Sequence, residues 1–485
     1  MESAGSRHIL ILPYPAPGHI NPLIQFGKRL ASHGLKVSIA ITRFLAKSME
    51  AETGAVSVEI ISDGYDEGGF YEASSVEAYH DKLETVGFQT VTEVIHSYRT
   101  TATPITCLVY DAFLAWALDL AKGLGLLGAT FFTQSCAVGA IYYNVQLGKA
   151  ALLLDSGFVA SVGLPPLEES ELPSFVTNAD YAPGFRVLLL GQFRNLEKAD
   201  WILCNTFDVT NADYAPGFRV LLLGQFRNLE KADWILCNTF DGFEDEVLNW
   251  ISRAWGKPMK AIGPTVPSFY LDKRVEGDKD YGLSLWARNS SLCKEWLDTR
   301  PPGSVVYVSF GSAVKLDETQ TGELARGIRA SNQNFLWVVR ATEESKLPPH
   351  FVEQTADEGL VVQWCNQLQV LAHPAVGCFI SHCGWNSTLE ALSLGVPLVA
   401  VPHWTDQPTN AKYIEDVWGV GLRAKKGPIT SADIERCIKE VMVGERRIKI
   451  KENVDRWRLM AKEAVDEGGV SDKNIKEFVA AVLTR

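Results

Sequence analysis

The sequence has no run of apolar residues long enough to cross a membrane. Its most apolar stretch, residues 114–132, is interrupted by Asp119 and Lys122, whereas a transmembrane helix needs about 20 consecutive apolar residues. Near the N-terminus, the apolar residues 9–12 are too few for a signal-peptide core and run directly into Pro13. We therefore expect a cytoplasmic protein without a membrane anchor.

Positive charge is also in deficit, because 46 Lys and Arg residues oppose 58 Asp and Glu residues. A nucleic-acid-binding surface needs clustered basic residues, so we expect no nucleic-acid partner. The nine cysteines are scattered singly along the chain, which is typical of a reducing compartment rather than of a disulfide framework. One group of potential metal ligands lacks the spacing of zinc motifs, and we predict no metal site there. Its members are Cys365, His373, Cys378, His382 and Cys383.

Strand-like and helix-like segments alternate in both halves of the chain, which predicts an α/β protein with parallel sheets. In the N-terminal half the predicted strands are 8–12, 37–42, 56–62, 105–110 and 129–133. The predicted helices there are 22–34 (with Asn21 as its cap), 75–98, 114–122 and 135–147. In the C-terminal half the predicted strands are 304–310, 335–340, 359–364, 377–381 and 398–401, and the predicted helices are 318–330, 448–464 and 474–483.

The junction between predicted strand 377–381 and the helix after it has the features of an anion site. Gly384 allows a ligand to approach the backbone closely, and the start of a helix offers N–H groups and a partial positive charge. Asn386 and Ser387 add side-chain donors, and His382 stands just before them. Glu390 follows one turn later on the same face as Asn386, where a carboxylate can accept from sugar hydroxyls. The junction therefore predicts a phosphate or pyrophosphate site; the alternative is a buried βαβ unit with incidental polar residues.

The 44 residues 364–407 around this junction resemble the signature box of plant secondary-product UDP-glycosyltransferases over its full length. The resemblance implies the GT-B fold, with two facing Rossmann-like domains and the active site in the cleft. It implies UDP-glucose as co-substrate and no metal or other cofactor. The residues that it assigns to UDP are Trp364 and Gln367 for the uridine, Glu390 for the ribose, Ser312, His382, Asn386 and Ser387 for the diphosphate, and Cys365 and Gly384 without a more specific role. Those that it assigns to the sugar are Trp385, Asp406 and Gln407.

His19 and Asp111 are the candidate catalytic pair. Both follow predicted strands at their carboxyl ends, where open α/β sheets place their ligands. From the residues alone, a structural role is about equally plausible. The family uses a His–Asp pair, however, and the segments HINP and VYD match its motifs. The resemblance thus implies that His19 is the base and that Asp111 orients it.

Two motifs mimic other kinds of site. Glycines 123, 125 and 128 spell GxGxxG but lie between a predicted helix and a strand, the wrong order for a dinucleotide fingerprint. We predict a helix stop there. Asp278 and Asp280 spell the DxD of metal-dependent glycosyltransferases, but no strand surrounds them, and we predict a solvated loop.

The domain boundaries follow from composition and from the resemblance. We expect an acceptor-binding domain at 1–264, a charged linker at 265–290 and a UDP-sugar-binding domain at 291–465. The resemblance implies that the last segment, 466–485, is a helix that crosses back to the first domain.

Residues 176–208 recur without change at 209–241. A period of 33 is that of ankyrin units, but two copies are too few for a stacked array. Each copy contains one predicted helix and one predicted strand, whereas the family has room for one of each. Perfect identity means that the duplication is either recent or an error of sequence assembly, and we favour the error. We expect residues 234–240 in the sheet and the first copy displaced into a surface loop.

The resemblance implies an inverting glucosyltransferase that moves glucose from UDP-glucose to a hydroxyl or carboxyl of a small apolar acceptor. The N-terminal half looks closest to a subgroup acting on carboxylates such as indole-acetate and salicylate, on phenols and on terpenoids. The alternative is a non-catalytic protein that binds or senses nucleotide sugars. We expect a monomer. The acceptor-pocket candidates are Tyr14, Phe132, Tyr142 and Trp404.

Overall fold

The computed structural model of the protein describes residues 7–47, 50–51, 54–177, 201–204, 234–240, 242–254, 259–284, 290–312, 314–424 and 427–484. The chain divides into two compact units. The first unit consists of Met1–Leu285 and Glu463–Arg485, and the second of Trp286–Lys462.

In the described part of the first unit, eight parallel strands form one sheet in the order β4-β2-β1-β5-β6-β7-β8-β9. These strands are β1 (His8–Leu12), β2 (Lys36–Thr42), β4 (Val56–Ile61), β5 (Ile105–Asp111), β6 (Leu127–Phe132), β7 (Trp201–Cys204), β8 (Trp234–Cys237) and β9 (Met259–Ala261). A short antiparallel pair joins β3 (Glu50–Ala51) to β10 (Leu283–Ser284). β1 and β6 are buried along their full length, as expected for strands of a parallel sheet covered by helices on both faces.

The described helices of the first unit are α1 (Pro17–Ser32), α2 (Arg43–Lys47), α3 (Val76–Ser97), α4 (Trp116–Gly123), α5 (Cys136–Gln146), α6 (Ser156–Val162), α7 (Ser174–Thr177), α8 (Asp245–Ala254) and the C-terminal α17 (Val470–Thr484). α17 packs into the same core as α1, with the rings of Phe478 and Phe26 6.0 Å apart. Asn474 Nδ2 of α17 donates to the carbonyl oxygen of Ala261 (2.6 Å). The C-terminal helix is thus part of the first unit.

Helix α1 begins five residues earlier than the sequence predicts. Pro17 occupies its first turn, where a missing N–H costs nothing and a fixed φ favours the helix. Ala16 is the N-cap, and Pro22 lies inside the helix. The prediction of Asn21 as cap is therefore wrong. Because of this shift, His19 lies within the first turn of α1 rather than in the preceding loop.

The GxGxxG segment lies where the sequence predicts. α4 ends at Gly123, Gly125 has a φ of +73°, and β6 begins at Leu127. The glycines thus stop a helix before a strand, and a dinucleotide would meet the wrong end of the helix.

Two aspartates of the segment 265–284 are held against α1 within the first unit rather than solvated. Asp278 is 3% exposed and accepts hydrogen bonds from Gln25 Nε2 (2.5 Å) and Lys28 Nζ (3.0 Å) of α1. Asp272 binds both terminal nitrogens of Arg29 (2.5 and 3.1 Å). A buried carboxylate needs such partners, and the prediction of a solvated loop at Asp278 is wrong. Of the predicted linker, residues 285–289 lie outside the described residues.

Both copies of the repeat contribute a strand to the sheet. β7 from the first copy pairs with β6, and β8 from the second copy pairs with β7 and β9. The two identical strands lie in register, Trp201 beside Trp234 and Cys204 beside Cys237. The expectation that the first copy is displaced is therefore wrong, because both copies have the same capacity for strand pairing and both find a parallel neighbour. The predicted helices of the copies lie outside the described residues.

The described part of the second unit has a six-stranded parallel sheet in the order β13-β12-β11-β14-β15-β16. Its strands are β11 (Val305–Ser309), β12 (Asn334–Val338), β13 (Gly359–Val362), β14 (Val376–Ser381), β15 (Leu398–Ala400) and β16 (Gly421–Arg423). Its described α-helices, numbered in chain order, are α9 (Ser290–Asp298), α10 (Glu318–Ala330), α11 (Phe351–Gln354), α12 (Gln367–Leu371), α13 (Trp385–Leu394), α14 (Gln407–Lys412), α15 (Ser431–Met442) and α16 (Arg446–Val465).

Proline substitutions at equivalent positions of the two copies test this sheet. Ile202→Pro and Ile235→Pro each remove a ladder hydrogen bond from a strand paired on both sides. We expect both to lower the free energy of unfolding by at least about 1–3 kcal/mol, measured by urea denaturation. A silent Ile202→Pro with a destabilising Ile235→Pro would show that only the second copy is in the sheet.

Candidate active site

The sheet of the first unit brings His19 and Asp111 together. Asp111 is the last residue of β5, and His19 lies in the helix that follows β1. β1 and β5 are parallel neighbours, with Leu12 beside Tyr110. Their carboxyl ends therefore meet at one edge. There, His19 Nδ1 and Asp111 Oδ2 are 2.8 Å apart.

The environment of Asp111 fixes the orientation of the imidazole. Asp111 is fully buried, and its Oδ1 accepts the backbone N–H of Phe113 (2.9 Å). Thr133 Oγ1 also lies 2.9 Å from His19 Nδ1. In the neutral imidazole, the nitrogen that faces the carboxylate is the N–H donor and Nε2 is the acceptor. The His19 side chain remains 16% exposed.

Aromatic side chains surround His19. The rings of Phe113 and Tyr14 lie 4.6 and 5.2 Å from it. The Tyr14 hydroxyl is 3.1 Å from His80 Nε2. Burial lowers the pKa of His80 to about 4 and raises the pKa of Tyr14, so both groups are neutral at pH 7. The Tyr14, His80 and Phe113 side chains on this side of His19 are therefore uncharged at pH 7.

The acceptor-pocket candidates lie in different places. Tyr14 is beside His19, whereas Phe132 and Tyr142 are each 1% exposed within β6 and α5. Trp404 belongs to the second unit. Sequence reasoning missed Phe113 and His80. Phe113 follows Asp111 by two residues and could have been found there, but His80 is on α3, far away in sequence.

In the second unit, the ends of two neighbouring strands enclose His382. β11 and β14 are paired with Ser309 beside Ser381. The His382 ring leaves no room for side chains nearby: a Cβ added to Gly384 would lie 2.5 Å from its Nε2, and one added to Gly311 2.9 Å from its Cε1. Burial lowers the pKa of His382 to about 4. The ring is thus neutral at pH 7 and can meet an anion only as a hydrogen-bond donor.

Glu390 and Gln367 share a hydrogen-bond network. Gln367 Nε2 donates to Glu390 Oε2 (2.7 Å) and Ser387 Oγ (2.9 Å). Its Oε1 accepts from the Tyr307 hydroxyl (3.2 Å), which also lies 3.4 Å from Cys365 Sγ. Four of the residues predicted to bind UDP thus lie in one connected group: Cys365, Gln367, Ser387 and Glu390. Trp364 is half-buried in the turn after β13.

Asp406 is the N-cap of α14, and its side chain contacts the first residue of α13. It accepts hydrogen bonds from the backbone N–H of Trp385, from Thr405 Oγ1 (2.6 Å) and from Asn410 Nδ2 (2.7 Å). Burial raises its pKa, and these hydrogen bonds oppose the rise. Asn386, in the first turn of α13, is partly exposed.

Gln407 is buried and begins α14. Its Oε1 accepts the backbone N–H groups of His403 (2.9 Å) and Trp404 (3.0 Å). Its Nε2 therefore faces away from that turn with the amide orientation fixed.

In the second unit, the segments that follow β14 and β15 each contain a residue with a strained backbone. Cys383 and Thr405 have φ angles of +67° and +53°, a region that non-glycine residues seldom adopt and that clusters at functional sites. Ser312 follows β11 in a loop that is held by Arg340, whose guanidinium donates to the carbonyl oxygens of Ser312 and Val314. The sequence pattern gave no sign of either feature.

Within the described ranges, no group of three or more His, Cys, Asp or Glu side chains is placed to hold a metal ion. None of the described helices is both long and apolar enough to span a membrane.

Comparison with known proteins decides the family. A family model described as UDP-glucoronosyl and UDP-glucosyl transferase matches residues 288–463. The chain is 44% identical to mogroside I-E synthase of Siraitia grosvenorii, with 98% of each chain covered. It is 45% identical to a flavonol 7-O-beta-glucosyltransferase of Arabidopsis thaliana, again over 98% of each. The chain belongs to the UDP-glycosyltransferase family. It is a UDP-dependent glycosyltransferase, as the signature box predicts.

Solved structures confirm the predicted fold class. The complex of Os79 from O. sativa with UDP matches with a TM-score of 0.86 and 38% identity, over 98% of this chain and all of the other. Os79 bound to U2F and a trichothecene matches with a TM-score of 0.83 at the same identity and coverage. This glycosyltransferase therefore has the GT-B fold, with two Rossmann-like domains built on parallel sheets.

The contact between His382 and Gly384 can be tested by substitution. Gly384→Ala forces the His382 ring or the backbone at the start of α13 to move. Overpacking costs roughly 1–3 kcal/mol, so we expect the Kd for UDP to rise about tenfold, measured by calorimetry. The control is Gly322→Ala, where the new methyl group meets only the flexible end of Arg326. Equal UDP affinities of the two variants would show that UDP binding does not depend on the space that Gly384 leaves for the His382 ring.

Proposed function

We propose that this glycosyltransferase moves glucose from UDP-glucose to a hydroxyl or carboxyl group of a small apolar acceptor, with inversion at the anomeric carbon. The observation that carries the proposal is the His19–Asp111 hydrogen bond of 2.8 Å with Asp111 fully buried. The names of its relatives support glucose as the sugar and small molecules as acceptors: one is a flavonol 7-O-beta-glucosyltransferase and another a crocetin glucosyltransferase of Crocus sativus, 44% identical over 99% of this chain and 97% of that one.

In the proposed reaction, His19 Nε2 accepts the proton of an acceptor hydroxyl as the oxygen attacks the anomeric carbon. Asp111 keeps the proton on Nδ1 and stabilises the imidazolium that forms. The apolar rings of Phe113 and Tyr14 beside His19 favour a planar, apolar acceptor. The remaining proposed pocket residues are Phe132, Tyr142 and Trp404.

We assign the donor to the network in the second unit. Glu390 is proposed to bind the ribose, and Gln367, which is hydrogen-bonded to it, is proposed to lie near the uridine. Trp364 is proposed to stack on the uracil. The diphosphate is proposed to meet His382, Ser312, and the first turn of α13 with Asn386 and Ser387, where N–H donors and the helix dipole stabilise the charge of the leaving UDP. Asp406, Trp385 and Gln407 are proposed to bind the sugar. The proposal requires no metal or further cofactor.

The experiment that tests the proposal measures UDP release from UDP-glucose with a panel of phenols and carboxylic acids. We expect UDP release that depends on the acceptor and a glucosylated product detected by mass spectrometry. UDP binding without turnover on any member of the panel would instead favour a non-catalytic nucleotide-sugar binder.

The role of His19 depends on the ionisation of the acceptor. A phenol with a pKa near 10 must lose its proton during attack, whereas a carboxyl group with a pKa near 4 is already ionised at pH 7. We therefore expect His19→Ala to reduce turnover of a phenol by about 10²–10⁴-fold and that of a carboxylate by much less. Asp111→Asn should reduce phenol turnover less than His19→Ala does. The measurement is kcat with matched phenolic and carboxylic acceptors at pH 7.

UDP affinity serves as the control, because His19 is in the first unit and the proposed UDP contacts are in the second. It should be unchanged in His19→Ala. Near-normal turnover of a protonated phenol by this variant would overturn the assignment of the base.

Gln407 is proposed to select the donor sugar through its amide nitrogen, because its oxygen already accepts two backbone N–H groups. Losing a hydrogen bond to a buried polar group costs on the order of 1–3 kcal/mol. We expect Gln407→His to lower kcat/KM for UDP-glucose relative to UDP-galactose. Gln369→His, at an exposed position of α12, is the matched control. The same donor ratio in both variants would place Gln407 outside the sugar site.

A further inference from the structure

Arg340 holds the backbone of the loop that follows β11. It lies two residues after the end of β12, and β12 is a parallel neighbour of β11, with Trp337 beside Val308. Its Nη1 donates to the carbonyl oxygen of Ser312, and its Nη2 donates to that of Val314. One planar guanidinium thus binds two carbonyl oxygens of the same loop and fixes their spacing.

A second cation holds the same loop further along the chain. Lys346 Nζ donates to the carbonyl oxygen of Leu316 (2.7 Å). Val314 and Leu316 are buried, whereas Gly311 and Ser312 are exposed. The loop is therefore held at its buried end, and Ser312, which is proposed to meet the diphosphate, lies at its exposed end.

The exposed end of the loop packs close to His382. Gly311 has a φ of +65°, and a Cβ added to it would lie 2.9 Å from Cε1 of the His382 ring. Movement of the loop would therefore change the spacing between Ser312 and His382, two of the residues proposed to meet the diphosphate. Burial lowers the pKa of His382 to about 4, and the positive charge of Arg340 acts in the same direction. The charge of Arg340 thus acts at this ring as well, and there it favours an anion.

The proposed reaction gives Arg340 no part. We propose that Arg340 is a positioning residue for the diphosphate of UDP: by holding the backbone after β11, it keeps the Ser312 hydroxyl in place to donate to the diphosphate. The effect on UDP rests on the proposed function of Ser312. The holding of the loop by the guanidinium does not.

This role predicts a loss of affinity that is confined to ligands with a diphosphate. The uracil and the ribose are proposed to contact Trp364, Gln367 and Glu390, which belong to the segment after β13 and to α13. Arg340→Met should therefore raise the Kd for UDP about tenfold and leave the Kd for uridine within about twofold of the wild-type value. Calorimetry measures the first and NMR titration the second. Equal losses for the two ligands would indicate general damage to the domain and would overturn the proposal.

Arg340→Lys separates geometry from charge. An ammonium group keeps the positive charge but lacks the planar fork with which Arg340 reaches two carbonyl oxygens. We expect this variant to raise the Kd for UDP at least about threefold, because the loop loses one of its two hydrogen bonds to residue 340. A lysine variant that binds UDP like the wild-type protein would show that the charge alone matters and would refute the positioning role.

A double-mutant cycle tests whether Arg340 acts through Ser312. Once Ser312→Ala has removed the hydroxyl, a change in its position has no further effect on UDP binding. We expect Arg340→Met to raise the Kd for UDP by a smaller factor in the Ser312→Ala background than in the wild-type protein. Additive effects of the two substitutions would contradict a role through Ser312.

Hydrogen–deuterium exchange measures the loop itself, without any ligand. Peptides that contain Ser312 and Val314 should exchange faster in Arg340→Met than in the wild-type protein, and unchanged exchange would show that the guanidinium does not hold the loop. Arg329→Met is the matched control, at an exposed position of α10 where the guanidinium contacts Gln354 Oε1 (3.1 Å). It should change neither exchange in this loop nor UDP affinity. If the wild-type protein bound neither UDP nor uridine, the proposed function would be at fault, and exchange would still decide whether Arg340 holds the loop.

Discussion

The hydrogen bond between His19 and Asp111 depends on the pairing of β1 with β5. A shift of one residue in β5 would turn the Asp111 side chain to the other face of the sheet, so the register of Leu12 beside Tyr110 fixes the geometry of the pair. Burial of a carboxylate is costly unless it is hydrogen-bonded, and Asp111 meets this requirement through His19 and the N–H of Phe113. The hydrogen bond between His19 and Asp111 thus depends on the strand pairing, satisfies the buried carboxylate and orients the proposed base.

In the second unit, too, the pairing of two parallel strands brings the residues of the candidate site together. β11 and β14 end side by side, and the turns after them carry Gly311 and Gly384, which make room for the His382 ring. Cys383 and Thr405 are not glycines, yet their backbones adopt positive φ angles. The surrounding hydrogen bonds offset the energetic cost of this backbone strain. The result is a neutral histidine and a helix N-terminus at the carboxyl edge of the sheet, with Gln367 hydrogen-bonded to both Ser387 and Glu390.

Local sequence patterns predicted much of this arrangement. The predicted helix 318–330 coincides with α10, and the strand–glycine–helix order around Gly384 is observed. Patterns failed where partners are distant in sequence: Asp278 is buried because Lys28 and Gln25, about 250 residues away, bind it. The same reason hid His80. The position of β7 could not be read from the sequence either, because two identical segments carry identical local signals and only the sheet decides where each one pairs.

The central claim is that His19 assists direct attack on UDP-glucose from the face opposite the UDP. The configuration of the product tests it most directly, because one displacement inverts the anomeric centre, whereas two displacements through a glucosyl-enzyme intermediate retain it. Proton NMR of the product formed from UDP-α-glucose and a phenolic acceptor measures that configuration from the coupling of the anomeric proton. A β-glucoside is the predicted result, and an α-glucoside would contradict the mechanism.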